Sequence, residues 1–274
     1  MSGFSADWLA LREPVDHASV NHRVRTALVE HFAGTNSITL VDLGSGTGSN
    51  FRSIAPDLKQ SQSWTLVDID AVLLDVAARN CAVVAAACRF PVSLEYQVAD
   101  LSTLPFDDLF AQADLVTASA LFDLVSVSAI ERIVESVSAR AAAFYTTLTY
   151  DGVAAWLPEH PMNPAMRDAF NSHQKTDKGF GPAAGPDATK VIAAAFEDRG
   201  YTVLLGASPW ILNQSQADLR IQTNRGWAAA VKETGQLRED DINDWLNARE
   251  TAPNSVGIIG HTDLLAIPPG TRQQ

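Results

Sequence analysis

The chain is poor in cysteine, with two among 274 residues, Cys81 and Cys88. They stand seven positions apart in the Ala-rich run CAVVAAAC, which reads as helix. Two helical turns separate them by about 10 Å along the axis, too far for a disulfide. No Cys-x-x-Cys and no Cys/His spacing suggests a zinc site, so both are expected to be small buried hydrophobes. Basic residues are scarce too: 20 Lys and Arg face 32 Asp and Glu, a net charge of −12. Proteins that depend on phosphate contacts carry the opposite balance, which argues against nucleic acid as the main partner. No apolar run approaches the ~20 residues of a membrane span; the longest cover 82–88 and 203–207. The opening MSGFSADWLALREP has early acids and no apolar core of a signal peptide. The expectation is a soluble, cytoplasmic protein that does not engage a membrane.

Hydrophobic residues make up 46% and charged residues 19%, the profile of a globular protein able to bury a sizeable core. Apolar runs of strand length occur at 38–43 (ITLVDL), 64–70 (WTLVDID), 92–98 (VSLEYQV), 114–118 (DLVTA) and 142–148 (AAFYTTL). Helical patterns separate them, from 51 onward, over 72–89 and over 128–140, where Ile130, Ile133, Val134 and Val137 recur at helical spacing. This alternation predicts βαβ crossovers and a doubly wound, mostly parallel sheet in an α/β fold. Residues 151–190 hold five prolines (158, 161, 164, 182, 186) and four glycines (152, 179, 181, 185), and read as a long loop forming a lid or substrate wall. A helix over 188–199 ending at Gly200, a strand over 201–207, helices over 216–232 and 240–249, and a last strand within 256–267 follow. Trp210, Trp227 and Trp245 fall at helical positions and are expected in the core. The expected organisation is one domain over 1–274: a helical cap (1–37), a cofactor-binding core (38–150), the insertion (151–190), and closing strands and helices (191–274).

The strongest signal is VDLGSGTGSN at 41–50, a strand running through Gly44, Gly46 and Gly48 into a helix. Alternate glycines let the backbone turn sharply and let a ligand approach bare N–H groups. Asp42 precedes the loop. Asp68 closes the second strand, 24 residues after Gly44, where a carboxylate accepts from ribose hydroxyls. Asp100 closes the third strand with Leu101 beside it. Three successive strands ending in an acid are not needed for packing, although each acid alone could cap a helix. A dinucleotide fingerprint would want Gly or Ala where Ser49 stands, and its pyrophosphate would be repelled by Asp42; no P-loop Gly-Lys-Ser/Thr follows.

With these motifs in order over 38–150, the chain resembles the class I S-adenosylmethionine-dependent methyltransferases. The resemblance implies a seven-stranded Rossmann-like sheet with an antiparallel last strand and a lid insertion. It implies S-adenosylmethionine held by Asp42, Gly44, Ser45, Gly46, Gly48 and Asn50, with Asp68 on the ribose and Ile69, Asp100 and Leu101 around the adenine. Ser119 is implied at the methionine end, and Asp70 is read as a helix N-cap. The family's marker for exocyclic DNA amines, Asn/Asp-Pro-Pro-Tyr, is absent where ASALFDL stands after the fourth strand. A small-molecule acceptor is the remaining default, with a protein acceptor behind it. His173 is the expected base, positioned by Asp177, with Tyr150 at the same cleft; Arg12 and Lys178 are the candidate substrate anchors. His261 and Asp263, on the last strand, are expected to be structural and remote from the mouth. The alternatives are a cofactor-binding scaffold without catalysis and, behind it, an NAD(P)-dependent oxidoreductase.

Overall fold

The structure is a computed structural model and describes residues 4–270. Its strands are β1 (Ser37–Leu43), β2 (Ser61–Asp68), β3 (Val92–Val98), β4 (Leu115–Ser119), β5 (Ala143–Leu157), β6 (Thr202–Ala207), β7 (Trp210–Leu212) and β8 (Val256–Ile267). They form one eight-stranded sheet in the order β3-β2-β1-β4-β5-β8-β6, with β7 paired to β8 outside that path. The pairs linking β1 to β5 are parallel, whereas β8 runs antiparallel to β5, β6 and β7. The doubly wound fold with antiparallel closing pairs is therefore as expected. The eighth strand is an addition: β7 spans three residues after Pro209, too short to leave a periodic signal, and Trp210 lies on it rather than on a helix.

The helices are α1 (Ala6–Ser19), α2 (His22–His31), α3 (Ser49–Ile54), α4 (Ala71–Ala87), α5 (Phe106–Leu109), α6 (Val127–Ala139), α7 (Asn163–Gln174), α8 (Ala188–Glu197), α9 (Ala217–Thr234) and α10 (Glu239–Thr251). Their starts are chemically marked. The side chains of Ser5, Asn21, Asp70 and Ser126 accept backbone N–H groups at the first turns of α1, α2, α4 and α6. Each face of the sheet buries its own core. Val116, Ile130, Ile133, Phe144 and Phe196 fill the side covered by α6 and α8. Val24, Leu28, Leu40, Trp64 and Leu66 fill the side covered by α2, α3 and α4.

The segment read as a long loop is largely ordered structure. β5 continues to Leu157, past irregularities between Thr146 and Thr149 and between Tyr150 and Ala154, where Leu148 (φ 55°) and Gly152 (φ 86°) bend the strand. These interruptions end the apolar alternation at 148, although VAAWL resumes it. The Pro-flanked stretch after it forms α7. The outer half of β5, the first half of β8 and β7 project beyond the part of the sheet built on β1–β4, and α7, α9 and α10 pack around them as a cap with its own core. Trp156 sits edge-on to Trp227 and Trp245, with ring centroids 4.8 and 5.1 Å away, and Phe170 stacks on Trp227 at 3.7 Å. Trp210, Trp227 and Trp245 are all buried here.

Candidate cofactor site and lid

At the end of β1 the backbone enters the left-handed region at Gly44, Gly46 and Gly48, with φ of 61°, 52° and 80°. A side chain there would be strained. At Gly48 it is also excluded by contact, because a Cβ would lie 2.3 Å from Cys81 Sγ. Cys81 thus packs under the loop, and burial pushes its thiol up to about 11. Two bonds stitch the loop to the end of β2: Ser45 N donates to Val67 O at 3.0 Å, and Gly46 N donates to Asp68 Oδ2 at 2.7 Å.

Asp42 is fully buried behind the loop. Its Oδ1 accepts from Asn50 Nδ2 at 2.7 Å, and the same amide reaches Thr117 Oγ1 at 3.1 Å. Asp42 Oδ2 and Ser45 Oγ are buried without a hydrogen-bond partner. Burial pushes the Asp42 carboxyl up to about 7, Asn50 opposes this, and the neighbouring Asp68 charge adds to it. Asp68 is held in place by backbone donors, since Oδ1 accepts from Asp70 N at 2.9 Å while Oδ2 holds Gly46. A carboxylate has about four acceptor sites, so two remain for a ligand. Asp70 caps α4 through bonds from Val72 N and Leu73 N. Beside Asp68, Ile69 is 58% exposed, and Val98, the register partner of Asp68 on β3, is 59% exposed; together they make an apolar edge. Asp100 is exposed and takes Ser102 N at 2.8 Å, which holds its carboxyl below the usual range, while Leu101 is buried in the core. At the end of β4, Ser119 Oγ accepts from Thr147 Oγ1 at 3.0 Å.

Helix α1 lies over this loop. A Cβ at Gly46 would sit 3.2 Å from Leu9 Cδ1. One turn on, Glu13 takes Arg52 Nε at 2.8 Å and Nη2 at 2.5 Å, and His17 Nε2 lies 3.0 Å from Ser49 Oγ. The helix is also tied to the cap, because Trp210 Nε1 donates to Asp16 Oδ1 at 3.0 Å. Arg12 is committed within the helix: its Nε and Nη2 reach Asp16 at 2.8 and 3.2 Å, and its guanidinium lies 4.8 Å over the Trp210 ring.

The expected catalytic group is not assembled as expected. His173 Nε2 faces Glu233 at 3.0 Å and Lys178 Nζ lies 3.3 Å from its Nδ1, whereas Asp177 turns to the N–H groups of Gly179 and Gly181. Glu233, on α9, is therefore the carboxylate of His173; an acid 60 residues away leaves no local signal. Tyr150 is buried, donates to Asn171 Oδ1 at 2.7 Å, and is pushed well above the usual tyrosine range by burial. His261 pairs with Tyr150 across β5 and β8 and lies 5.2 Å from Trp210, ring to ring. Burial lowers it to about 3, with Arg12 adding to the effect. Asp263 is structural, accepting from Asn21 N, Leu148 N and Ser208 Oγ at 2.7, 2.9 and 2.6 Å. Sequence reasoning missed Arg52, Leu121, which closes on Gly44, and Asp123, which burial pushes up to about 6.

A family model described as a methyltransferase domain matches residues 40–142. Comparison with curated proteins finds no match. Among solved structures, a cyclopropane-fatty-acyl-phospholipid synthase-like protein from Lactobacillus casei is 17% identical, with 97% of this chain and 95% of that one covered and a TM-score of 0.52. A SAM-dependent methyltransferase from Geobacter sulfurreducens, solved in complex with S-adenosyl-L-homocysteine, is 15% identical, with 98% and 100% covered and a TM-score of 0.46. An O-methyltransferase family protein from Burkholderia thailandensis is 14% identical at a TM-score of 0.46; the match covers 92% of this chain and spans 56% of that one. At these identities the likeness is one of fold. Residues 40–142 thus match a methyltransferase domain, and the strand order around them is that of a doubly wound α/β sheet with antiparallel closing strands. Among the described residues no helix is long and apolar enough to cross a membrane.

Proposed function

We propose that the protein transfers a methyl group from S-adenosylmethionine to a small-molecule acceptor. The observation that carries this reading is the pair of buried, unpartnered oxygens at the glycine loop, Asp42 Oδ2 and Ser45 Oγ. A buried acceptor left without a donor costs roughly 1–3 kcal/mol, so the fold holds these atoms in wait for a donor or a positive charge. A cofactor with an ammonium and a sulfonium supplies both, and the residues fit it. Asp42 would face the cationic end, the remaining acceptor sites of Asp68 would take ribose hydroxyls, and Ile69 with Val98 would flank the base. A dinucleotide fits poorly, because its pyrophosphate would meet Asp42.

When bound, the cofactor supplies an electrophilic methyl group. The chain's part is to orient and to exclude water. Glu13 and His17 pin α1 above the loop, Leu9 and Leu121 lie against its glycines, and the mutually packed Tyr150, Trp210 and His261 would form the wall on the cap side. Asp123, whose carboxyl is raised to about 6, is our candidate for receiving an acceptor proton, in place of His173. The net charge and the closed position of α1 favour a small acceptor over a nucleic acid. Isothermal titration with S-adenosylhomocysteine, followed by a product assay on metabolite pools, tests both halves. Binding with turnover is the expected result. Tight binding without turnover on any pool would leave a scaffold, and no binding would end the proposal.

A further inference from the structure

Five buried donor atoms converge in the cap without a hydrogen-bond partner: Nε of Arg220, Oγ1 of Thr223, Nδ2 of Asn224, Nε of Arg249 and Oγ of Ser255. Arg220, Thr223 and Asn224 share the inward face of α9, Arg249 lies in the last turn of α10, and Ser255 leads into β8. Arg220, Asn224 and Arg249 are neighbours, with Thr223 on the same helix face and Ser255 two residues before Gly257. Arg220 Nη1 donates to Arg249 O at 3.2 Å, Asn224 Oδ1 accepts from Trp156 Nε1 at 3.1 Å, and a Cβ at Gly257 would touch both Trp156 and Arg220. Arg220 and Arg249 are 4% and 1% exposed.

Neither arginine forms an ion pair among the described residues. Glu250 is taken by Arg225 at 2.7 Å, and Glu159, which Arg249 senses, is engaged by Asn163 Nδ2 at 3.3 Å. Burial and the proximity of Arg220 depress the Arg249 guanidinium, with Glu159 opposing them. Two backbone oxygens, Arg249 O and Pro158 O, receive one Nη1 each. The end of α10 adds about half a negative charge and Glu159 acts on Arg249 without touching it, which leaves Arg220 with no paired carboxylate and Arg249 only partly offset. Buried charges persist only when a counter-charge and hydrogen bonds meet them.

We infer that the cap holds a tetrahedral oxyanion between α9, α10 and the start of β8, gripped by Arg220 and Arg249 with Thr223, Asn224 and Ser255. A carboxylate offers about four acceptor sites, fewer than the donors present, whereas a phosphate group offers more and matches the charge of two guanidinium groups. No residue of this site belongs to the glycine loop or to α1, so the inference stands apart from the proposed methyl transfer.

The test is titration of the full chain with inorganic phosphate at millimolar concentration, below the range where salts act on every protein surface. Binding is read by calorimetry and by the phosphorus resonance, against chloride of equal ionic strength and against acetate. Saturable phosphate binding is expected, at least tenfold weaker in Arg220→Met and severalfold weaker in Thr223→Val, with acetate silent and S-adenosylhomocysteine affinity unchanged. If Arg220→Met does not fold, Thr223→Val carries the comparison. Phosphate indistinguishable from chloride, or bound equally by the variants as an adventitious ion only, overturns the site. Acetate binding as well as phosphate does overturns the tetrahedral assignment.

Discussion

Replacing Asp42 by Asn separates the cost of the buried carboxylate from its use. The native carboxyl is raised from 3.8 to about 7, chiefly by burial. A carboxyl raised in the folded state destabilises it as pH climbs through the interval between the unfolded and folded values, because folding then demands a charge where water is absent. At 1.36 kcal/mol per unit, the wild type bears a penalty of about 4 kcal/mol above pH 8, of which roughly 2–3 kcal/mol develops between pH 5 and pH 8. Asn keeps the acceptor for Asn50 Nδ2 but places an amide where Oδ2 has no partner, which costs about 1–3 kcal/mol at every pH. Denaturant unfolding across this range should therefore give a flatter profile for Asp42→Asn, with the variant gaining roughly 2–3 kcal/mol on the wild type from pH 5 to pH 8 and standing level with or above it at pH 8. Titration with S-adenosylmethionine should show the reverse at high pH, the variant binding at least tenfold more weakly and losing the rise in affinity through pH 7. Parallel stability profiles for the two proteins would refute the assignment of the penalty to Asp42.

The loop and the cap give two further expectations. Gly48→Ala combines a φ of 80° with a Cβ 2.3 Å from Cys81 Sγ, so unfolding experiments should register a loss of roughly 2–4 kcal/mol; a loss below 1 kcal/mol would mean that Cys81 moves aside freely. His261 is lowered from 6.5 to about 3, and a depressed imidazole destabilises the fold as pH falls below 6.5. His261→Gln should lessen the loss between pH 6.5 and pH 5 by about 2 kcal/mol. Identical acid limbs would show that His261 protonates without strain.

The cofactor half of the fold was legible because its signals are local. The strand β1, the glycines, Asp70 as a cap and the helical rows of α6 all lie within a few residues of one another. The expected strand β3 coincides with the observed one. The cap was not legible, for three physical reasons. Bulges near Leu148 and Gly152 interrupt the alternation by which a strand is recognised, so β5 read as ending halfway. Prolines in 158–164 look like loop, although Pro164 sits in the first turn of α7, where a missing N–H is harmless. The partners of His173 and Arg52 are Glu233 and Glu13, and such pairings depend on tertiary packing rather than on spacing. Asp177 shows the opposite failing: a carboxylate next to small residues served its own turn.

Strands β5 and β8 run from the central sheet into the cap, bulged in β5 near Leu148 and Gly152, and their pairing spans both. Two bodies sharing continuous paired rails cannot swing apart about a flexible joint. Access to the glycine loop must therefore come from α1, which is clamped to Arg52 and Ser49 at one side and to Trp210 at the other. In the proposed reading, release of that single helix would uncover the loop, and exchange of cofactor and entry of acceptor would share one door.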